Sequence, residues 1–304
     1  MDNQQQQQQQ NRTGVIQLVS AMVLSGTIGI FVTEAHMDAF NVVFFRCLFG
    51  AICLTIFCLA KGFFKRSFFT KKTTALIALG GVCIVFNWVF LFKSYGLTSI
   101  TMGTILYHTQ PFYVVLLGVI LFKERISANK ILWICLAFVG MVFVTNLQAS
   151  DLKATYIEGI LYSLAAAVLY GIATIVAKRL KGIPPHLIAL CQITLGMFLL
   201  YPFTTLQNVP TVGTHWYYLA GLGLIHTCIM YILMYSSYQK LDTTKIAVLS
   251  FIYPAVALVI DFAVYGTRLA PIQGLGVVLI FLSSIAVNRN WNFAFIGPKK
   301  EALS

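Results

Sequence analysis

One pentapeptide sits badly with its neighbours. In ILYHTQPFYVVLLG (105–118), Tyr107, His108, Thr109, Gln110 and Pro111 interrupt a stretch otherwise apolar enough for lipid. An imidazole can exchange a proton near neutral pH, and an amide both donates and accepts hydrogen bonds. Proline lacks a backbone donor and crowds the carbonyl four residues earlier, so Pro111 deprives the Tyr107 carbonyl of its helical partner. Spacings of three and four put Tyr107, Gln110, Pro111 and Val114 on one helix face, with His108 about 100° round. Such a group suits hydrogen bonding to a guest and, through His108, proton carriage. The competing reading is a structural kink beside a core histidine. H-E-x-x-H, G-x-S-x-G and the P-loop pattern are all missing, so neither an enzyme nor a cofactor is expected.

A second set of residues has the same character. Pro254 frees the carbonyl of Ser250, with Tyr253 beside it. Asn87 and Trp88, Tyr170 and Tyr231 are polar or ring-bearing residues in the middle of apolar runs, where a hydroxyl needs a partner. Their rings suit a ligand with a flat or cationic part and equally suit aromatic packing. Arg46 lies about two turns inside an apolar run and Glu34 ends the preceding one; an approach of the two as an outer gate or ion pair is expected. Glu124 and Arg125 are expected at the membrane interface, without a role in chemistry. Asp261 is open to pairing with Lys93.

The elements that carry these residues follow from composition. The 304 residues are 59% hydrophobic and 10% charged, with mean hydropathy +0.82. That balance excludes a soluble domain. Ten runs of spanning length are read at 15–33, 39–60, 74–95, 99–122, 129–146, 156–177, 185–206, 214–238, 244–265 and 271–288. The opening MDNQQQQQQQNRT, 1–13, has nothing to bury and is expected to be disordered. The cysteines all fall in spans without metal-ligand spacing and are read as packing residues.

Lys and Arg collect on the side that holds both termini, which predicts cytoplasmic termini and a cytoplasmic tail at 291–304. The other side keeps Lys93, Lys153 and Arg268. The net charge of +12 thus reflects topology and points to anionic lipid headgroups, not nucleic acid.

The chain also repeats itself. Sliding Pro111 onto Pro254 brings Trp88 onto Tyr231, Phe92 onto Tyr235, Tyr95 onto Tyr238 and Arg125 onto Arg268. RCLFG (46–50) meets QITLG (192–196), and LSGTIGIFV (24–32) meets LYGIATIVA (169–177). Two five-helix halves, 14–147 and 155–290, follow. Five is odd, so the halves are inverted, the architecture secondary transporters use for alternating access around a midplane site.

These segments resemble the drug/metabolite transporter superfamily in its ten-helix EamA-type branch. ILYHTQPFYVVLLGVILFKERIS (105–127), its counterpart IAVLSFIYPAVALVIDFAVYGTRL (246–269), FFRCLFG (44–50) and LAFVGMVFV (136–144) carry the likeness, which extends from about residue 15 to 288. Thr267 departs from the pattern, standing where an acid usually precedes Arg268. The resemblance implies a cavity lined by helices 1, 3, 4, 6, 8 and 9, with Tyr107, Gln110, Pro111, Tyr253 and Pro254 among its walls. It implies export of amino acids or related metabolites, with a quaternary-amine or drug carrier as the alternative and an intramembrane enzyme as the reading from another class. The expected partners are a small-molecule substrate, the bilayer and, if His108 titrates, protons. Monomer and homodimer both stay open.

Overall fold

The structure, a computed structural model, describes residues 2–98, 103, 106–145, 157–205, 213–265 and 270–291. Helix α1 comprises Asp2–Gly26 and Ile28–Glu34, interrupted at Thr27. It is followed by α2 (Ala39–Ala60), α3 (Lys71–Leu97), α4 (Gln110–Phe122) and α5 (Ala128–Thr145). The second half holds α6 (Ile157–Arg179) and α7 (Pro185–Leu200). Helix α8 joins His215–Gly223 to Met230–Tyr238 through a π-turn, Leu224–Ile229. Helix α9 comprises Thr243–Ser250 and Ile252–Tyr265, and α10 is Pro271–Asn288. No strand occurs among the described residues. Eight of these spans are long and apolar enough to cross a bilayer, and α4 and α5 are shorter apolar helices.

Local chemistry sets the helix ends. The Asp38 carboxylate accepts the N–H groups of Phe40 and Asn41, Thr70 and Thr73 form a capping box, and Asp242 accepts the N–H of Lys245. Each occupies donors that a helix start leaves bare. Pro185 and Pro271 open α7 and α10, where a missing N–H costs nothing.

Two expectations need correction. The glutamine run is helical and exposed from Gln5 to Gln10, because glutamine is a good helix former and extending an existing helix needs no new nucleus. The fourth span is not one continuous helix: Leu106 and Tyr107 are helical, but His108 and Thr109 form a turn. Residues 99–102, 104 and 105 lie outside the described residues, Thr109 is in a turn, and α4 begins at Gln110 with Pro111 in its first turn. Pro111 thus stands in the first turn after a break in the span, not inside a continuous kinked helix. Asp261's side chain, Thr267 and Arg268 also lie outside the described residues, as does the tail beyond Trp291.

The packing has the symmetry that the repeat requires. Helix α1 packs on α8 and α9, and its counterpart α6 packs on α3 and α4. Helix α2 meets α7 and α8, while α7 meets α2 and α3. Helices α5 and α10 pack on each other at the edge of the bundle. A Cβ on Gly140 would meet the Gly276 carbonyl at 2.8 Å, and one on Gly276 would meet the Gly140 carbonyl. Small residues permit this backbone approach where lipid supplies no hydrophobic drive between helices.

Outward faces such as Leu116, Val119 and Ile120 on α4, and Leu275, Val278 and Phe281 on α10, are exposed and apolar. Interhelical hydrogen bonds lie inside: Ser94 to Ser163 at 2.5 Å, the Asn87 amide to the Ala166 carbonyl at 2.8 Å, and Asn41 to both backbone groups of Thr205. Each contributes on average about 0.6 kcal/mol in membranes.

Candidate substrate site

The two broken spans hold the centre. Helix α4 starts immediately after the turn at His108 and Thr109, and α9 is interrupted at Phe251, three residues before Pro254. In the register that equates the two prolines, His108 corresponds to Phe251, and their rings lie 6.4 Å apart. Trp88 and Tyr231, also equated by the repeat, meet edge-on at 6.0 Å. Residues that are copies of one another and touch must flank the pseudo-two-fold axis. The breaks and the rings therefore converge on it.

From this axis a chain of rings crosses the bundle. His108 stacks on Tyr253 at 4.9 Å with an interplanar angle of 23° and meets Tyr107 edge-on. Tyr107 faces Tyr170 at 5.8 Å and donates a long hydrogen bond to Asn87 Oδ1. The hydroxyl of Tyr170 reaches that of Tyr238 at 3.2 Å, and the Tyr235 hydroxyl donates to Gln192 Oε1 at 2.5 Å. Tyr107 and Tyr170 lie inside the bundle, in contact with each other and with Asn87 and Tyr238. Both are nevertheless half-buried, as is Tyr253. Residues deep in a bundle that keep accessible surface line an internal space.

Arg46 supplies the charge. Its guanidinium lies 4.5 Å from the ring centre of Trp88 and 5.7 Å from that of Tyr231. Its Nε donates to Thr227 Oγ1 at 2.9 Å and Nη2 donates to the His226 carbonyl at 3.0 Å. Both acceptors belong to the π-turn of α8, whose altered hydrogen-bond spacing makes backbone groups available; such turns recur at functional sites. The side chain is buried, at 4% exposure. A charge at this depth costs roughly 2.5–3.5 kcal/mol on insertion scales, and a desolvated cation–π contact returns about 2 kcal/mol.

Not every expected residue does what the sequence suggested. Glu34 does not reach Arg46; it pairs with His36 at 3.9 Å, so the two do not form a gate here. The helix ends at Glu34, which is half-buried, whereas Arg46 turns inward to rings. The Ser250 hydroxyl bonds back to the Ile246 carbonyl within its own helix. Gln110 is buried at 4% exposure, and its Nε2 has no hydrogen-bond partner among the described residues. Lys93 lies over the Tyr162 ring.

Glu124 is no bystander at the interface. It pairs with Lys178 at 3.3 Å and accepts both the N–H and the hydroxyl of Thr243, while Lys178 donates to the Leu241 carbonyl. The end of α4, the end of α6 and the α8–α9 connection are thereby tied together. Sequence reasoning also missed Gln192, although the repeat equates it with Arg46, and Thr227, whose only sequence signal was a hydroxyl in an apolar run.

Comparison with known proteins joins this geometry. The profile of the EamA-like transporter family matches twice, at residues 12–146 and 157–289, one match per half. The chain belongs to the EamA-like transporter family. This EamA-like transporter is 33% identical over 274 residues to the Bacillus subtilis (strain 168) protein named uncharacterized transporter YxxF, covering 90% of this chain and 88% of that one. It is 28% identical over 225 residues to a Fusobacterium nucleatum protein named riboflavin transporter ImpX, covering 69% and 72%. A crystal structure with 17% identity superposes on this EamA-like transporter with a TM-score of 0.81 over 94% of the chain, a likeness of fold alone. The protein is an integral membrane transporter.

Proposed function

We propose that this chain is a secondary carrier that moves a small metabolite by alternating access, with amino-acid efflux as its activity. The supporting observation is the meeting of two repeat-related helix breaks, at 108–109 and at Phe251, beside half-buried rings on the pseudo-two-fold axis. Irregular backbone at membrane depth is tolerated where it is buried in protein or lines a polar cavity. The halves 14–147 and 155–290 act as the two bodies that rock about Tyr107, His108, Gln110, Pro111, Tyr253 and Pro254. Asn87, Trp88, Tyr170 and Tyr231 complete the walls, and Ser250 holds the α9 break. In this reading both termini face the cytoplasm, the bacterial plasma membrane is the setting, and His108 is the proton-carrying group if transport is proton-coupled.

The quaternary-amine reading loses support because the cation over Trp88 and Tyr231 is the protein's own Arg46. A flat-ring substrate has support of its own: His108 and Tyr253 already stack in parallel, and a relative is named a riboflavin transporter. Counterflow in proteoliposomes tests the carrier. Unlabelled amino acid inside should accelerate uptake of labelled amino acid outside, with riboflavin as the parallel arm. Equal uptake with and without internal substrate would point to a channel, and altered product to an enzyme; either removes the proposal.

A further inference from the structure

We infer that Arg46 is the anchor for a substrate carboxylate, so that the transported molecule is recognised as an acid bearing a ring or apolar body, and not as an amine. The inference rests on the carrier reading above and specifies its substrate class.

Three observations meet at Arg46. The first is the state of its charge. Among the described residues its interactions are two hydrogen bonds to neutral oxygens and two aromatic faces, and no carboxylate lies within ion-pair distance. A guanidinium has five N–H donors, so the two hydrogen bonds leave the rest of the fork unspent. The second is its company. Trp88, over whose ring the guanidinium lies, directly follows Asn87, the acceptor of the Tyr107 hydroxyl, and half-buried Tyr107 belongs to the ring chain that reaches Tyr170, His108 and Tyr253. A ligand lying against those rings has the cation within its reach.

The third is asymmetry. The repeat places Gln192 where the first half has Arg46; Gln192 Oε1 accepts from the Tyr235 hydroxyl, while its Nε2 has no partner among the described residues. Symmetry thus supplies one cation and one neutral amide, a polar arrangement that orients a guest with one charged end. Gln110 Nε2, buried with no partner among the described residues, adds an idle donor in the same central region. Guanidinium and carboxylate match as planar forks, the geometry for which arginine is used over lysine.

The test uses three probes that share one ring: 3-phenylpropionate, phenylalanine and phenethylamine. Binding to the full chain in nanodiscs is measured by calorimetry, and counterflow is measured in proteoliposomes. The acid and the amino acid are expected to bind within a few-fold of each other, with the amine about 10- to 100-fold weaker, as for loss of one charged hydrogen-bond partner. Arg46→Gln should weaken 3-phenylpropionate by a similar factor and abolish the preference over phenethylamine, while Arg46→Lys keeps the preference. Thermal unfolding of each variant establishes that it is folded, and the acid-against-amine comparison in the unmodified protein needs no variant. Equal or tighter binding of phenethylamine, failure of all three probes to bind, or a folded Arg46→Gln that retains the preference each overturns the assignment. Counterflow without acid preference would leave the carrier standing and remove the carboxylate anchor. Preferential acid binding without counterflow would do the reverse.

Discussion

Replacing Glu124 by glutamine should open one face of the bundle. The Glu124 carboxylate lies 3.3 Å from Lys178 Nζ, with the two side chains 20% and 8% exposed. It also accepts the Thr243 N–H at 3.1 Å and the Thr243 hydroxyl. Lys178 donates in turn to the Leu241 carbonyl. Removing one member of a buried pair costs about 3–5 kcal/mol. Partial exposure of Glu124 reduces that, and a glutamine oxygen still accepts one bond from Thr243, which leaves a loss of about 2 kcal/mol. At 1.4 kcal/mol per tenfold, local opening becomes about 30-fold more frequent.

Thr243 N–H is itself bonded to the carboxylate, so its hydrogen exchange reads the latch directly. In nanodiscs, Glu124→Gln should speed exchange at 241–245 by that factor, with Lys178→Gln giving a similar gain. The double variant should fall well short of the product of the two, because removing both partners leaves no stranded charge. Unchanged exchange at Thr243 in Glu124→Gln, or single effects that simply multiply, would refute the latch.

Pro111→Ala restores a backbone donor at the start of α4. It should leave thermal stability unchanged or raised while slowing counterflow at least severalfold, because the break at 108–109 is then no longer enforced. Gly276→Val drives a side chain into the Gly140 carbonyl and should destabilise by about 1–3 kcal/mol, as overpacking does, read as a fall in unfolding temperature in detergent. Asn41→Ala removes both hydrogen bonds to Thr205, at about 1 kcal/mol each, and should lower the unfolding temperature without altering ligand preference. If His108 carries a proton, His108→Gln should flatten the pH dependence of counterflow between about pH 5 and 8; a profile identical to wild type removes that role.

Sequence periodicity was enough for the spans and their inversion because lipid leaves little choice: every backbone group must be paired within the segment, and apolar length is directly visible. The proline register then identified both break points, since a missing N–H has the same consequence in any fold. What could not be read was how side chains resolve their charges. Glu34 and Arg46 lie near one another along the chain and looked like partners, but aromatic faces and the π-turn of α8 compete for the guanidinium, and nothing in the composition of LIHTCI announces a π-turn. Glu124 looked interfacial because its partner, Lys178, is contributed by a helix in the other half. Long-range pairing of this kind leaves no local trace.

The two halves are copies, yet their polar residues are not, and the difference bears on mechanism. An inverted repeat with identical gates would populate its two openings equally. Here Glu124 ties α4, α6 and the α8–α9 connection together on one face. The repeat puts Thr267 at the equivalent position of the second half, where no carboxylate is available for such a tie. The latch thus adds free energy to closure on its own side, and no counterpart of it occurs among the described residues. If the carrier reading holds, the resting protein favours the opening opposite the latch, and substrate must offset about 2 kcal/mol to cross to the latched side. A ligand shifts such an equilibrium only through the difference in its affinity for the two states. The buried Arg46 fork is the group best able to supply it, because its unspent donors gain more from a carboxylate when the surrounding rings exclude water.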